Sequence, residues 1–163
     1  MADSPRDSSQ RVVAVDLDQG SIRRWSHDIE HERAVAIYDL LEENYFSPVG
    51  EPPGPYAVTL AVEENRLSLD IRTADGGTPI ARVVLPLAGF RRVVRDYFTV
   101  CENYFAAIRN APPARIEALD QGRRALHDEG SELLKERLAP KIEVDFSTAR
   151  RLFTLMCVLH LRL

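Results

Sequence analysis

Cysteine is scarce. The chain of 163 residues has two, Cys101 and Cys157, each in an apolar segment and without C-x-x-C spacing. That argues against a disulfide framework or a cysteine-based zinc module, and the pair reads as buried, reduced thiols. Long apolar runs are missing too. None approaches the roughly 20 residues that cross a bilayer, so no membrane association is expected. Met1 to Gln10 is polar and lacks the apolar stretch of a signal peptide, which points to the cytoplasm. Lysine is rare: Lys135 and Lys141 stand among 21 basic residues, and the others are arginine. A GC-rich coding sequence produces the same bias, so arginine abundance alone carries little functional weight. Excess positive charge is absent, the net charge being -4, and nucleic acid is not an expected partner. No Gly-rich phosphate loop, G-x-S-x-G elbow or basic–aromatic RNA signature occurs, and no cofactor is expected.

What is present is an ordinary globular composition, 45% apolar and 28% charged, which can build a core without staples. Residues 1–10 are expected to be a disordered tail and 11–163 a single α+β domain. Arg11 to Leu17 carries a β-branched run and reads as a strand. A helix is expected from Ser26 or Asp28, with Ile29, Ala36, Ile37, Leu40, Leu41 and Tyr45 on its apolar face. Ser47 to Pro55, with four prolines and two glycines, reads as a stiff loop. Residues 56–63, 66–73 and 80–85 alternate as strands joined by tight turns, an antiparallel meander with one face free for helices. Helices follow at 87–110, 114–138 and 147–162, separated by Pro112-Pro113 and Pro140, with a short extended link at 141–145. The fold class is a small antiparallel β-meander packed against a cluster of long helices.

The richest polar stretch is Asp120 to Gly130. On a helix, Ile116, Leu119, Leu126, Gly130 and Leu133 share one face, and Arg123 falls inside that stripe. His127 and Asp120 flank it, Arg124 pairs with Asp120 at i, i+4, and Asp128 points away toward solvent. A buried Arg123 needs a partner. One reading is a salt bridge to a carboxylate on a neighbouring helix. The other is an anion site, in which Arg123 and Arg124 grip a phosphate or carboxylate through their planar forks. His127 would then act as acid or base, oriented by Asp120 or Glu129. Gly122 and Gly130 are unfavourable inside a helix and imply close approach of another backbone.

Three further places carry weaker signals. His27-Asp28-Ile29-Glu30-His31 matches H-x-x-E-H, in which two histidines hold zinc and the glutamate is the base of a hydrolase. Against this, acids are usual at a helix start, and no third ligand is evident. Arg91 and Arg95 sit near the N-terminus of the 87–110 helix, where positive charge is unfavourable. They mark either a solvated basic face or an anionic partner. The last helix is apolar nearly all round, as core or as the seam of a homodimer, with Arg150 and Arg151 placed in its first turn as further anion-binding candidates.

Several segments carry a resemblance. Asp39 to Asn44, Arg95 to Phe98, Ile116 to Asp120, Gly122-Arg123-Arg124 with His127, Glu129 and Gly130, and Thr148 to Leu155 are similar to a family of uncharacterised alphaproteobacterial proteins of about this length. The resemblance covers most of the chain beyond the tail. It implies a bacterial cytosolic protein and brings no activity, cofactor or catalytic residue with it. Two functions stand on the residues themselves. One is a non-catalytic binding or regulatory protein for an anionic metabolite or a protein partner. The other is a small enzyme acting on a phosphorylated or carboxylated substrate.

Overall fold

The computed structural model describes residues 8–18 and 27–160. The expected tail up to Asp7, Trp25 and the Ser26 cap lie outside the described residues. A four-stranded sheet is built from β1 (Val12–Leu17), β3 (Tyr56–Glu63), β4 (Arg66–Thr73) and β5 (Pro79–Pro86), with β2 (Phe46–Pro48) set apart. The meander β3-β4-β5 is antiparallel, and its residues alternate as period-two patterning requires. Tyr56, Val58, Leu60 and Val62, then Leu67, Leu69 and Ile71, then Val83 and Leu85 are buried on one face. The link between β3 and β4 is a two-residue turn. Glu64 and Asn65 both have positive φ, 50° and 59°, the geometry that matches the twist of a hairpin.

Two features depart from the meander alone. β1 runs parallel to β3 and closes that edge of the sheet, with Val12, Val15 and Leu17 falling opposite core-facing residues of β3. A parallel neighbour needs a crossover, and the chain between the two strands supplies it through α1 (His27–Glu42). Second, the start of the expected loop is a strand. Phe46–Pro48 pairs antiparallel with β6 (Ile142–Val144), and Pro48 is tolerated because it sits at the end of the register. Helix α1 stops at Glu42, earlier than its apolar pattern. Asn44 causes this. Its amide donates to the carbonyls of Leu40 and Val12, and its oxygen accepts from the Val12 N–H at 2.8 Å.

After the single 3-10 turn Ala88–Phe90 come α2 (Arg91–Asn110), α3 (Pro113–Leu138) and α4 (Phe146–His160). Asp145 caps α4 by accepting the Thr148 N–H. Nine of the fifteen α4 side chains are buried within the chain, between β3, α1 and α3. The apolar surface offered for a dimer seam is thus used by the protein's own core. At 15 residues α4 is shorter than α2 at 20 and α3 at 26. Phe105 and Ile108 are exposed although they belong to the apolar stripe of α2.

The glycine at 130 answers a side chain rather than a backbone. A methyl group there would overlap the ring of Phe153 from α4, whereas at Gly122 the nearest foreign atom, Val100 Cγ2, would be 3.6 Å away. Gly130→Ala should therefore destabilise the fold by about 1–3 kcal/mol through overpacking. Gly122→Ala should stabilise it by up to about 1 kcal/mol through helix propensity. Urea denaturation of the two variants checks this contrast, and a stabilised G130A would contradict the packing.

Candidate functional site

Three helices turn polar residues into one cleft of about 440 Å³, which Tyr97 of α2 also borders. Helix α3 supplies Arg123, Arg124 and His127. Helix α4 supplies Arg150, Arg151 and Thr154. Both sets have the spacing i, i+1, i+4, which places three side chains on one helical strip. The sequence thus contains one pattern twice, Arg-Arg-x-x-His and Arg-Arg-x-x-Thr. Their fifth positions meet, with His127 Nε2 lying 2.8 Å from Thr154 Oγ1. Helix α1 forms the opposite wall with His31, Glu32, Val35, Ala36 and Asp39. Ala36 is small, and this keeps the cleft open.

The arginines differ in how they are satisfied. Arg123 donates to Asp120 on its own helix at 2.6 Å, and its guanidinium lies 4.7 Å from the centre of the Tyr104 ring. The expected partner on a neighbouring helix is replaced by one a single turn away. Arg124 meets the other oxygen of Asp120 at 3.1 Å. With both cations beside it, and the Arg123 hydrogen bond foremost, the Asp120 carboxyl is held below its ordinary pKa. On α4, Arg150 approaches Asp128 at 3.5 Å and Arg151 approaches Asp39 at 3.7 Å. Asp128 is exposed, yet it reaches across to α4 instead of pointing only to water. Neither contact is a hydrogen bond. The Nε atoms of Arg123, Arg150 and Arg151 are buried without a hydrogen-bond partner among the described residues. Because α4 begins at Phe146, Arg150 and Arg151 lie in its second turn, away from the N–H groups of the helix start.

His127 is packed edge-on against Tyr97 and Phe153. Thr154 donates its hydroxyl to the Arg150 carbonyl, so its oxygen accepts the Nε2 proton of His127. Burial, and then the charge of Arg150, push the imidazole down to about 4, so it is neutral at pH 7. Its two proposed orienting groups are engaged elsewhere: Asp120 with Arg123 and Arg124, and Glu129 with Arg92. Glu32 is the residue the sequence reading missed. It borders the cleft and two adjoining cavities and makes no hydrogen bond or ion pair among the described residues. Burial raises its pKa, with the Arg123 charge opposing. Its signal was present in the spacing of Glu32 and Asp39 around Ala36 on one face of α1.

The remaining candidates fall elsewhere. His31 lines the cleft wall, but Glu30 is bonded to Arg33 at 2.8 Å. Among the described residues no three His, Cys, Asp or Glu side chains converge on a metal position. Arg91 and Arg95 border a separate depression with Phe98 and His160. The N–H of Arg91 is already bonded to the Ala88 carbonyl. Among the described residues no helix is long and apolar enough to cross a membrane.

Fold and site define a small α+β protein with an arginine-lined cleft among its helices. The chain belongs to the uncharacterised protein family UPF0262, whose model matches residues 9–162. It is 59% identical to the UPF0262 protein of Azorhizobium caulinodans over 151 residues, 92% of this chain and 93% of that one. It is 56% identical to those of Paramagnetospirillum magneticum over 153 residues, covering 94% and 97%, and of Rhodopseudomonas palustris over 157 residues, covering 96% of each. These are alphaproteobacterial proteins, and the family carries no assigned activity. No solved structure matches the chain.

His127 gives this site a measurable pH signature. Its ordinary pKa is 6.5, and in the fold it is about 4. Between these values the unfolded chain takes up a proton that the folded chain refuses. Stability from this group is complete above pH 6.5 and falls as pH falls through the window, by about 1.4 kcal/mol per pH unit. His127→Gln should flatten the slope of unfolding free energy against pH over that range. A variant with the wild-type slope would remove His127 as its source.

Proposed function

We propose that this protein is a non-catalytic binding protein that recognises a small metabolite through its anionic group, a phosphate or a carboxylate. The observation that carries this reading is the state of Arg150 and Arg151. Their side chains are half-buried and adjacent, and they donate no hydrogen bond among the described residues. A guanidinium carries five donors in a planar fork that fits a phosphate or carboxylate. Leaving those donors unused in a partly desolvated cleft is unfavourable unless an acceptor arrives.

Catalysis by His127 has less support. The imidazole is neutral at pH 7, its Nε2 is committed to Thr154, and no carboxylate among the described residues orients it. A cytoplasmic location is part of the proposal, in keeping with two free thiols. The pKa of Cys101 is pushed up to about 11 and that of Cys157 also rises, both by burial, so both stay protonated.

The test is a thermal-shift screen against phosphorylated and carboxylated metabolites, with inorganic phosphate as reference. A ligand that binds only the folded chain at a hundredfold excess over its Kd adds about 2.7 kcal/mol of stability. Arg150→Gln and Arg151→Gln should each weaken such binding by at least about tenfold, the contribution of a charge-assisted hydrogen bond. Absence of any shift, or shifts unchanged in both variants, would refute the reading.

A further inference from the structure

The charges around the cleft are balanced in number, with a carboxylate within 4.0 Å of each of the four arginines. Arg123, Arg124, Arg150 and Arg151 stand on α3 and α4. Against them are four carboxylates: Asp120 and Asp128 behind the arginines, and Glu32 and Asp39 on the α1 wall. With His127 neutral, guanidiniums and carboxylates cancel. A simple anion entering such a site leaves it with excess negative charge. A molecule with no net charge but two opposite poles leaves it balanced. Groups suited to the two poles border the same cleft. On one side are the unused donors of Arg150 and Arg151. On the other is Glu32, whose carboxylate has neither a hydrogen bond nor an ion pair within 4.0 Å among the described residues. Arg123 and Glu32 border the same cavities without closing on each other.

A second cavity adds a third requirement. It has a volume of about 180 Å³ and shares Glu32, Tyr97 and Thr154 with the cleft. Beyond these it is lined mainly by apolar groups, among them Ile29, Phe98, Cys101, Phe105, Cys157 and Val158. A ligand lying across the shared wall therefore meets arginines, then a carboxylate, then an apolar recess.

We infer that the ligand is a small zwitterion of the amino-acid type, its carboxylate on Arg150 and Arg151, its ammonium on Glu32, and an apolar side chain in the recess behind Tyr97. This rests on the anion-binding reading above and narrows it. Carboxylate suits the site better than phosphate for two reasons. It carries one negative charge, which a single ammonium cancels. Its two oxygens also match the guanidinium fork. Glu32 selects for the ammonium because a half-buried carboxylate without a donor is penalised whenever a ligand excludes water from it.

Isothermal titration with four probes tests the assignment: leucine, isocaproate (the same skeleton without the amine), glycine and inorganic phosphate. Leucine should bind at least about tenfold tighter than isocaproate, the difference expected for one charge-assisted hydrogen bond. It should also bind at least about tenfold tighter than glycine, which leaves the recess empty. In Glu32→Gln, whose folding is checked by its melting temperature, leucine and isocaproate should bind alike. If isocaproate binds wild type as well as leucine does, or if E32Q keeps the wild-type ratio, the zwitterion assignment is overturned. Phosphate or isocaproate binding that depends on Arg150 would then leave the anion-binding reading standing. If none of the four binds, the zwitterion assignment fails outright and the wider metabolite screen decides the anion-binding reading.

Discussion

Burial of helix α4 is the constraint on which the rest of the structure depends. Its side chains from Leu155 to Leu159 are all buried, and Leu152 and Phe153 join them from the preceding turn. A helix apolar around most of its circumference must be covered on most sides. The sheet, α1 and α3 do so. Polar groups on such a helix can emerge only where the covering elements leave a gap. Arg150, Arg151 and Thr154 occupy such a gap, so the cleft is a place where the wrapping of α4 is incomplete.

That origin explains why the charges in the cleft are under tension. Arginine keeps its charge at any physiological pH, so Arg150 and Arg151 cannot escape partial burial by losing a proton. Histidine can, and His127 does. The two residue types resolve the same desolvation in opposite ways. One stays charged and lacks hydrogen-bond acceptors. The other becomes a neutral strut between α3 and α4 through Thr154. Asp120 serves two arginines, one through each oxygen. Near Asp120 an arginine is therefore hydrogen-bonded within the chain, and near Arg150 none is among the described residues.

Much of the fold was legible in the sequence because its signals are periodic and local. The three meander strands, the stop at Pro86 and the break at Pro112-Pro113 all lie close to where alternation and proline place them. What local reasoning missed depends on partners far along the chain. The strand at Phe46–Pro48 exists because residues 142–144 lie beside it, and α1 ends where Asn44 turns back to Val12. The site divides the same way. Projection onto a single helix placed Arg123 in an apolar stripe and His127 at its edge. It found neither the Arg150 contact of Asp128 nor the position of Glu32, because both need the packing of one helix against another. The repeated Arg-Arg-x-x spacing was visible throughout, but its meaning required the two copies to face each other.

The seat of Phe153 on Gly130 has a consequence for the cleft itself. The ring rests where a methyl group would obstruct it. His127 and Thr154, three residues before Gly130 and one after Phe153, meet within hydrogen-bond distance of each other. Neither Gly130 nor Phe153 lines the cleft, yet their fit sets how closely α3 and α4 approach, and so shapes the wall on which the arginines, His127 and Thr154 stand. That wall is therefore shaped from within the core, by the fit of one aromatic ring against bare backbone, independently of the charged groups it carries.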